Sequence, residues 1–409
     1  MSTRSSSPVS ATSPSARGSN LLSDDIAARI RREGPISFAD FQAAALDDER
    51  EGFFSTSGGA GRAGADFITS PEVGSLFGAL VARHLDAAWR ALEEPDPFVV
   101  IEAGAGRGRL AADVLRAQPA CAPALRYVLV ERSARLRGEH VEHLTVEPPD
   151  EALGPFTRAS APDEPDEPVP CAGPIVTALA ELPAIHVDGV VIANELLDNL
   201  PVHLVQRRDL AWLEVRVGLD DDGALVEELV PAAPALTSEA DRVAAGTEVP
   251  DGARLPVPDA ARAWLEATST LLHRGQVIVI DYAADVADLV VRGPDGPSGW
   301  LRTYRAHVRG GPALDAPGSQ DITCDLPLEY LRAAAQRAGF TVERDTTQAE
   351  WLRALGIDRL VEEGAATWDQ RAHLGDLEAI AGRSRGVESA ALTDPSGLGS
   401  HRVLVLARR

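Results

Sequence analysis

Val99-Val100-Ile101-Glu102-Ala103-Gly104-Ala105-Gly106-Arg107-Gly108 runs directly into Arg109-Leu110-Ala111-Ala112-Asp113-Val114-Leu115. The opening residues have the apolar character of a strand buried on both faces. The closing ones open a helix. Between them stand three glycines, which take positive φ at little cost and let a bound cofactor lie against bare backbone. Strand, glycine turn and helix predict the cofactor-holding βα turn of an α/β sheet. The dinucleotide fingerprint, G-x-G-x-x-G, needs a glycine where this chain has Arg109. The third glycine comes one residue early, at Gly108, and a carboxylate, Glu102, stands two residues before the first. A nicotinamide-dependent oxidoreductase is therefore the weaker reading.

Outward from the turn, strand-like runs at 98–103, 126–131, 189–194 and 275–281 alternate with helical patterns. Each run is short, apolar and rich in Val and Ile, as in a mostly parallel, doubly wound sheet covered on both faces. Arg402-Val403-Leu404-Val405-Leu406-Ala407 reads as a closing edge strand. Upstream, 21–48 holds two helical stretches parted by Gly34-Pro35. A loop, Ser57-Gly58-Gly59-Ala60-Gly61, leads to Asp66-Phe67-Ile68-Thr69-Ser70-Pro71-Glu72, with Ser70 as expected N-cap and Pro71 as first helical residue. Val73, Leu76, Phe77, Leu80, Val81, Leu85 and Trp89 then mark one apolar helix face. The expected organisation is a disordered tail (1–20), an N-terminal helical region (21–92) and an α/β domain (93–409). Insertions are expected at 145–174, 202–258 and 285–325, the second carrying a β-hairpin around Asp220-Asp221-Asp222-Gly223. A helix at 259–272 returns the chain to the sheet.

Composition narrows the function. At 409 residues the chain can bury a large core, and its net charge of −23 argues against sequence-independent nucleic-acid binding and against anionic membranes. Every basic side chain other than histidine is arginine. The apolar runs are too short to span a bilayer. Cys121, Cys171 and Cys324 are isolated, which suits a reducing cytoplasm better than an oxidising compartment.

Chemistry-bearing residues gather at the ends of the strand-like runs, which line the ligand crevice of doubly wound sheets. Glu131 ends the second run, where a carboxylate can accept hydrogen bonds from both hydroxyls of a ribose. Asn194, Glu195 and Asp198 follow the third, where an acceptor substrate would meet a cofactor. Asp281-Tyr282 ends the fourth. Two patterns read as decoys. Gly382-Arg383-Ser384-Arg385-Gly386 matches G-x-S-x-G, but the preceding residues look helical, whereas a nucleophile elbow follows a strand. His140-Val141-Glu142-His143 lacks further ligands and reads as a solvated helix face, so no metal site is expected.

The spacing E-x-G-x-G-x-G resembles that of S-adenosylmethionine (SAM) methyltransferases, and further blocks narrow the resemblance. Thr69-Ser70-Pro71-Glu72 with Phe77-Gly78, then Glu102 to Leu110, Ala193-Asn194-Glu195 through Asp198, and Leu200-Pro201-Val202-His203 resemble the MidA-like SAM-dependent methyltransferases. So do Ile280-Asp281-Tyr282, Leu301-Arg302-Thr303-Tyr304-Arg305 with His307, Pro317-Gly318, Asp321-Ile322-Thr323, Gln348-Ala349-Glu350-Trp351-Leu352 and Leu355-Gly356-Ile357. The mitochondrial branch of that family is a complex I assembly factor that methylates a protein arginine. Ala105 stands where the family often has proline, and Leu196-Leu197 and Asn199 depart from the mitochondrial branch. The resemblance implies a Rossmann-like methyltransferase sheet, SAM as cofactor and a protein substrate. It places Thr69, Ser70, Pro71, Glu102, Gly104, Ala105, Gly106, Arg107, Gly108, Glu131 and Asn194 at the cofactor. It places Asn194, Glu195 and Asp198 at the chemistry. A catalytically weak SAM-binding assembly or scaffold protein is the alternative from another class.

Overall fold

Seven strands form the central sheet of the computed structural model: β1 (Phe98–Ala103), β2 (Leu125–Val130), β3 (Ile175–Leu179), β4 (Val187–Asn194), β5 (Leu272–Asp281), β6 (Thr341–Thr347) and β7 (Arg402–Arg408). Their order is β6-β7-β5-β4-β1-β2-β3. Neighbours from β5 to β3 are parallel, and β7 alone runs against both of its neighbours, β5 and β6. The structure describes residues 21–56, 58, 69–154, 157–158, 167–168, 173–296, 298–305 and 308–409. The expected tail at 1–20, most of the glycine loop at 57–61, Asp66-Phe67-Ile68, Cys171 and His307 lie outside them.

Along the inner strands successive side chains enter opposite faces of the sheet, with the period of two that a pleated chain imposes. Val100, Leu129, Val190, Ile192, Ile278, Ile280, Val403 and Val405 join one core. It is closed by α5 (Ser75–Ala91) and α6 (Arg109–Arg116). Val99, Ile101, Val128, Val191, Val277, Val279, Leu404 and Leu406 join another, under helices at Asp259–Leu271 and Leu328–Arg337. Gly189 in β4 is required by the close strand pairing. A Cβ there would fall 1.8 Å from the Val99 carbonyl oxygen of β1. Gly189→Ala is expected to cost about 1–3 kcal/mol or more through overpacking, read as a lowered denaturant midpoint.

Sequence reading and structure differ at the sheet edges. The 402–407 run is not an edge: β7 lies inside, and Val403 to Ala407 are all buried, as a strand covered on both faces demands. The edge beside it is β6, Thr-Val-Glu-Arg-Asp-Thr-Thr, whose polar, largely exposed residues carry no apolar pattern. The opposite edge, β3, lies outside the strand-like runs of the sequence.

A third core joins three separated segments. Helices α1 (Leu21–Glu33) and α2 (Phe38–Asp47) bury Leu22, Ile26, Phe38 and Phe41 against Val205, Trp212, Val215 and Leu255. Trp300 and Ile322 from a later segment complete it. The expected hairpin is present, Ala211–Leu219 pairing with Leu225–Pro231, within an antiparallel sheet that also takes in Ile36–Ser37. No described helix is long and apolar enough to cross a membrane.

Candidate active site

The direction of winding reverses between β1 and β4, so their carboxyl ends open a crevice. That is why the 104–108 turn after β1 and Asn194-Glu195 at the end of β4 meet. Gly104 to Arg107 of the turn and Asn194-Glu195 share a cleft of about 1160 Å³, walled also by Thr69, Pro71, Glu102, Glu131, Glu181, Leu196 and Asn199. Gly108, expected at the cofactor, is buried behind them beside His140 and Leu144. The cleft volume exceeds the upper end, about 1,000 Å³, of ordinary ligand pockets. Asp47, Glu49, Phe54 and Ser55, from the end of α2 and from α3 (Phe53–Thr56), form the far wall. Sequence reading does not place these residues at the site, because the third core that presents them has no local signature.

The turn uses its glycines as left-handed residues: φ is +71° at Gly104, +53° at Gly106 and +76° at Gly108. The Gly104 and Ala105 amides donate to the Val130 carbonyl at 2.8 and 3.1 Å, tying the turn to β2. A Cβ on Gly106 would meet nothing within 4 Å, so that glycine presents bare backbone to open space. Glu131 follows β2 immediately. Its carboxylate accepts the amides of Gly106 (2.9 Å) and Ser133 (2.8 Å). Burial raises its pKa and those two amides oppose the rise.

Glu102 is held differently. Its side chain is buried in the sheet, accepts the Tyr127 hydroxyl at 2.7 Å and accepts the Ala111 amide in the first turn of α6. Gly108, the N-cap of α6, has no side chain to offer, so Glu102 supplies the cap from the strand. Burial pushes its carboxyl up to about 8. Arg107 pairs with Glu139 at 3.0 Å.

Thr69 and Pro71 reach the cleft, but Ser70 does not cap the helix. The N-cap position of α4 (Ser70–Val73) is Thr69, and the buried Ser70 hydroxyl donates instead to Gln348 at 3.0 Å. The helix also breaks at Gly74. The Glu388 carboxylate comes up beside it and accepts the Leu76 amide at 2.9 Å, capping α5 from another helix.

Glu195 sits at the floor of the cleft with φ +51°, a conformation unusual for a side-chain-bearing residue. Its amide donates to the Ile280 carbonyl of β5 (2.8 Å), and its Oε1 accepts the Ser70 amide (3.3 Å) and Asn194 Nδ2 (3.4 Å). Burial, with the charge of Asp198 next, pushes the carboxyl up to about 8. Asn194 Oδ1 is buried with no hydrogen-bond partner among the described residues, an acceptor held in reserve at the cleft wall.

Asp198 lies beneath the cleft rather than on its wall. It hydrogen-bonds to Asp281, whose two oxygens already accept the amides of Leu197 and Tyr282 at 2.8 Å each. Burial raises both carboxyls, and the charge of Asp198 raises Asp281 further. Asn199 donates to Asp321 at 2.8 Å, binding the same loop to the 301–324 strands.

The two decoy patterns fare differently. Gly382 to Gly386 lies inside the Leu377–Leu392 helix and forms no elbow. His140 is not on a solvated face: it is buried, with Nε2 2.8 Å from the Gly106 carbonyl oxygen. The turn recruits it from a position that no spacing rule marks. No group of three metal-ligating side chains occurs among the described residues.

A reversing parallel sheet, a left-handed glycine turn and acidic strand ends define a nucleoside-cofactor enzyme of the α/β class. Residues 80–346 match the family described as "Putative S-adenosyl-L-methionine-dependent methyltransferase", and the chain belongs to that family. A COG1565 superfamily protein from Burkholderia thailandensis, solved with S-adenosyl-homocysteine bound, is 27% identical and superimposes with a TM-score of 0.75. The match covers 95% of this chain and 92% of that one. The protein arginine methyltransferase NDUFAF7 of Homo sapiens is 28% identical over 352 residues, 81% of this chain and 72% of that protein. The Drosophila melanogaster homologue is 26% identical over 344 residues, 80% and 73% respectively. Both of these relatives are named as mitochondrial. This chain is a SAM-dependent methyltransferase, and SAM is its cofactor.

Proposed function

We propose that this enzyme methylates an arginine side chain of a protein, with Glu195 as the base that faces the acceptor. The observation that carries the reading is the Glu195 carboxyl itself: desolvated, pushed up to about 8, and set at the floor of the same cleft as the glycine turn. A guanidinium has a pKa above about 12 and has to lose a proton as it is methylated. A carboxylate with a raised pKa is a stronger base than an ordinary one and forms charge-assisted hydrogen bonds to a guanidinium. Relatives named as protein arginine methyltransferases support the same reading.

In this reading the 104–108 turn, Arg107 included, flanks the methionine and ribose end of SAM. Glu131 binds the ribose hydroxyls with its remaining lone pairs. Glu102 keeps the turn and α6 in place, Thr69 and Pro71 close the cleft with Ser70 buried behind them and its amide on Glu195, and Asn194 orients the reactants with its free Oδ1. Asp198 acts from beneath, holding the 195–198 turn through Asp281. SAM supplies a methyl already activated on a sulfonium. Alignment is the protein's main contribution, and proximity supplies about 7–11 kcal/mol in favourable cases. The unpaired, buried Cys121 and Cys324 support a reducing, cytoplasmic setting.

The test is transfer from SAM with a deuterated methyl group to arginine-containing proteins and peptides, followed by tandem mass spectrometry. The expected label sits on a guanidinium nitrogen. A label on lysine, a carboxylate or an amide refutes arginine as the acceptor. SAM binding without transfer to any captured partner favours the scaffold alternative.

A further inference from the structure

His140 has no part in the reaction described above, yet it touches the turn at Gly106. We propose that His140 is a positioning residue for the cofactor: it holds the Gly106 carbonyl so that the turn is preformed for SAM. The inference rests on the reading of the 104–108 turn as the cofactor wall.

Gly106 is gripped at both ends. Its amide donates to Glu131 Oε2 at 2.9 Å, and its carbonyl oxygen lies 2.8 Å from His140 Nε2. Without these bonds, a turn with three left-handed glycines has many backbone conformations of similar energy, since glycine lacks the Cβ that restricts rotation. Freezing the turn before binding removes an ordering cost that would otherwise weaken affinity.

The protonation state follows from the partners. A carbonyl oxygen accepts only, so Nε2 carries the hydrogen. Nδ1 is then a bare acceptor, buried with no partner among the described residues. Burial lowers the pKa, with Arg137 and His143 acting the same way and Glu139 and the Gly106 carbonyl opposing it. A neutral imidazole donating through Nε2 is the result. The ring also packs against the turn: a Cβ on Gly108 would lie 3.3 Å from His140 Cδ2 and 3.2 Å from Leu144 Cδ1. An apolar side chain would fill the same space without stranding a nitrogen. What imidazole adds is the bond to Gly106.

Calorimetric titration of S-adenosylhomocysteine into the full chain separates the possibilities, using the parent, His140→Leu, His140→Gln and Gly106→Val. His140→Leu is expected to bind on the order of 10-fold more weakly, the size of one net hydrogen bond, with a thermal midpoint no lower than the parent's. His140→Gln, which keeps a side-chain N–H donor, is expected to recover most of that loss. Parent-like binding by His140→Leu overturns the inference, as does an equal loss in both His140 variants, the mark of a purely structural role. If Gly106→Val binds like the parent, the cofactor-wall reading fails and the inference with it. If only Gly106→Val loses binding, the inference alone fails.

Discussion

Gly106→Val is expected to lower affinity for SAM and S-adenosylhomocysteine more than 100-fold while leaving the fold in place. Two physical terms act together. At φ +53° an L-residue pays about 1–2 kcal/mol relative to glycine, and a β-branched one more. That strain alone approaches a tenfold effect when the turn relaxes away from its binding geometry. The side chain supplies the rest, because it projects from the turn into the space the cofactor needs. The absence of any atom within 4 Å of the added Cβ explains why the core is spared. Gly106→Ala carries the strain with less bulk, so an intermediate loss is expected. Calorimetry with a parallel thermal melt distinguishes lost binding from lost folding.

Glu195→Gln is the second large effect. General base catalysis contributes roughly 10²–10⁴, so kcat on an arginine acceptor is expected to fall by about that factor with S-adenosylhomocysteine affinity little changed. Gln retains the carbonyl oxygen that accepts the Ser70 amide and Asn194 Nδ2. The pH profile gives an independent signature. The parent carboxyl is neutral below about 8 and ionised above it, so kcat/KM rises with pH and levels off past that value. The Gln variant has no such rise. Stability moves the opposite way. A carboxyl raised from 4.5 to about 8 by folding favours the folded state fully below 4.5 and loses that contribution as pH rises through about 8. Glu195→Gln therefore melts at a progressively higher temperature relative to the parent as pH passes that window. A pH-independent difference would place Glu195 in an ordinary, solvated environment.

The strands nearest the site were legible because they are buried on both faces. Continuous Val and Ile runs made β1, β2, β4 and β5 readable, and the glycine spacing marked the turn. The edges were not legible for the converse reason: β6 is polar and half exposed, and nothing in its seven residues alternates. β7 carries the signature of an inner strand rather than an edge, five apolar residues in succession. The third core is illegible because it is assembled from segments far apart in the chain, and no local pattern records that α2 shares a core with Trp212 and Trp300.

At the site, sequence reading found groups at strand ends but not those that support them from the side. Glu131 and Glu195 occupy the cleft at positions fixed by topology. Tyr127, Gln348 and His140 reach Glu102, Ser70 and Gly106 through side-chain contacts that have no characteristic spacing. Ser70 shows the same limit at the scale of one residue. Its composition suits an N-cap, but a better partner, Gln348, arrives from elsewhere in the fold.

The central claim is that the 104–108 turn and Glu131 hold the cofactor while Glu195 faces the acceptor. A crystal structure of the chain with S-adenosylhomocysteine tests it most directly. The account predicts the ribose hydroxyls within hydrogen-bond distance of Glu131, the nucleoside against Gly104 and Gly106, and the sulfur turned toward Glu195. Ligand density away from that turn, or a sulfur facing away from Glu195, would contradict it.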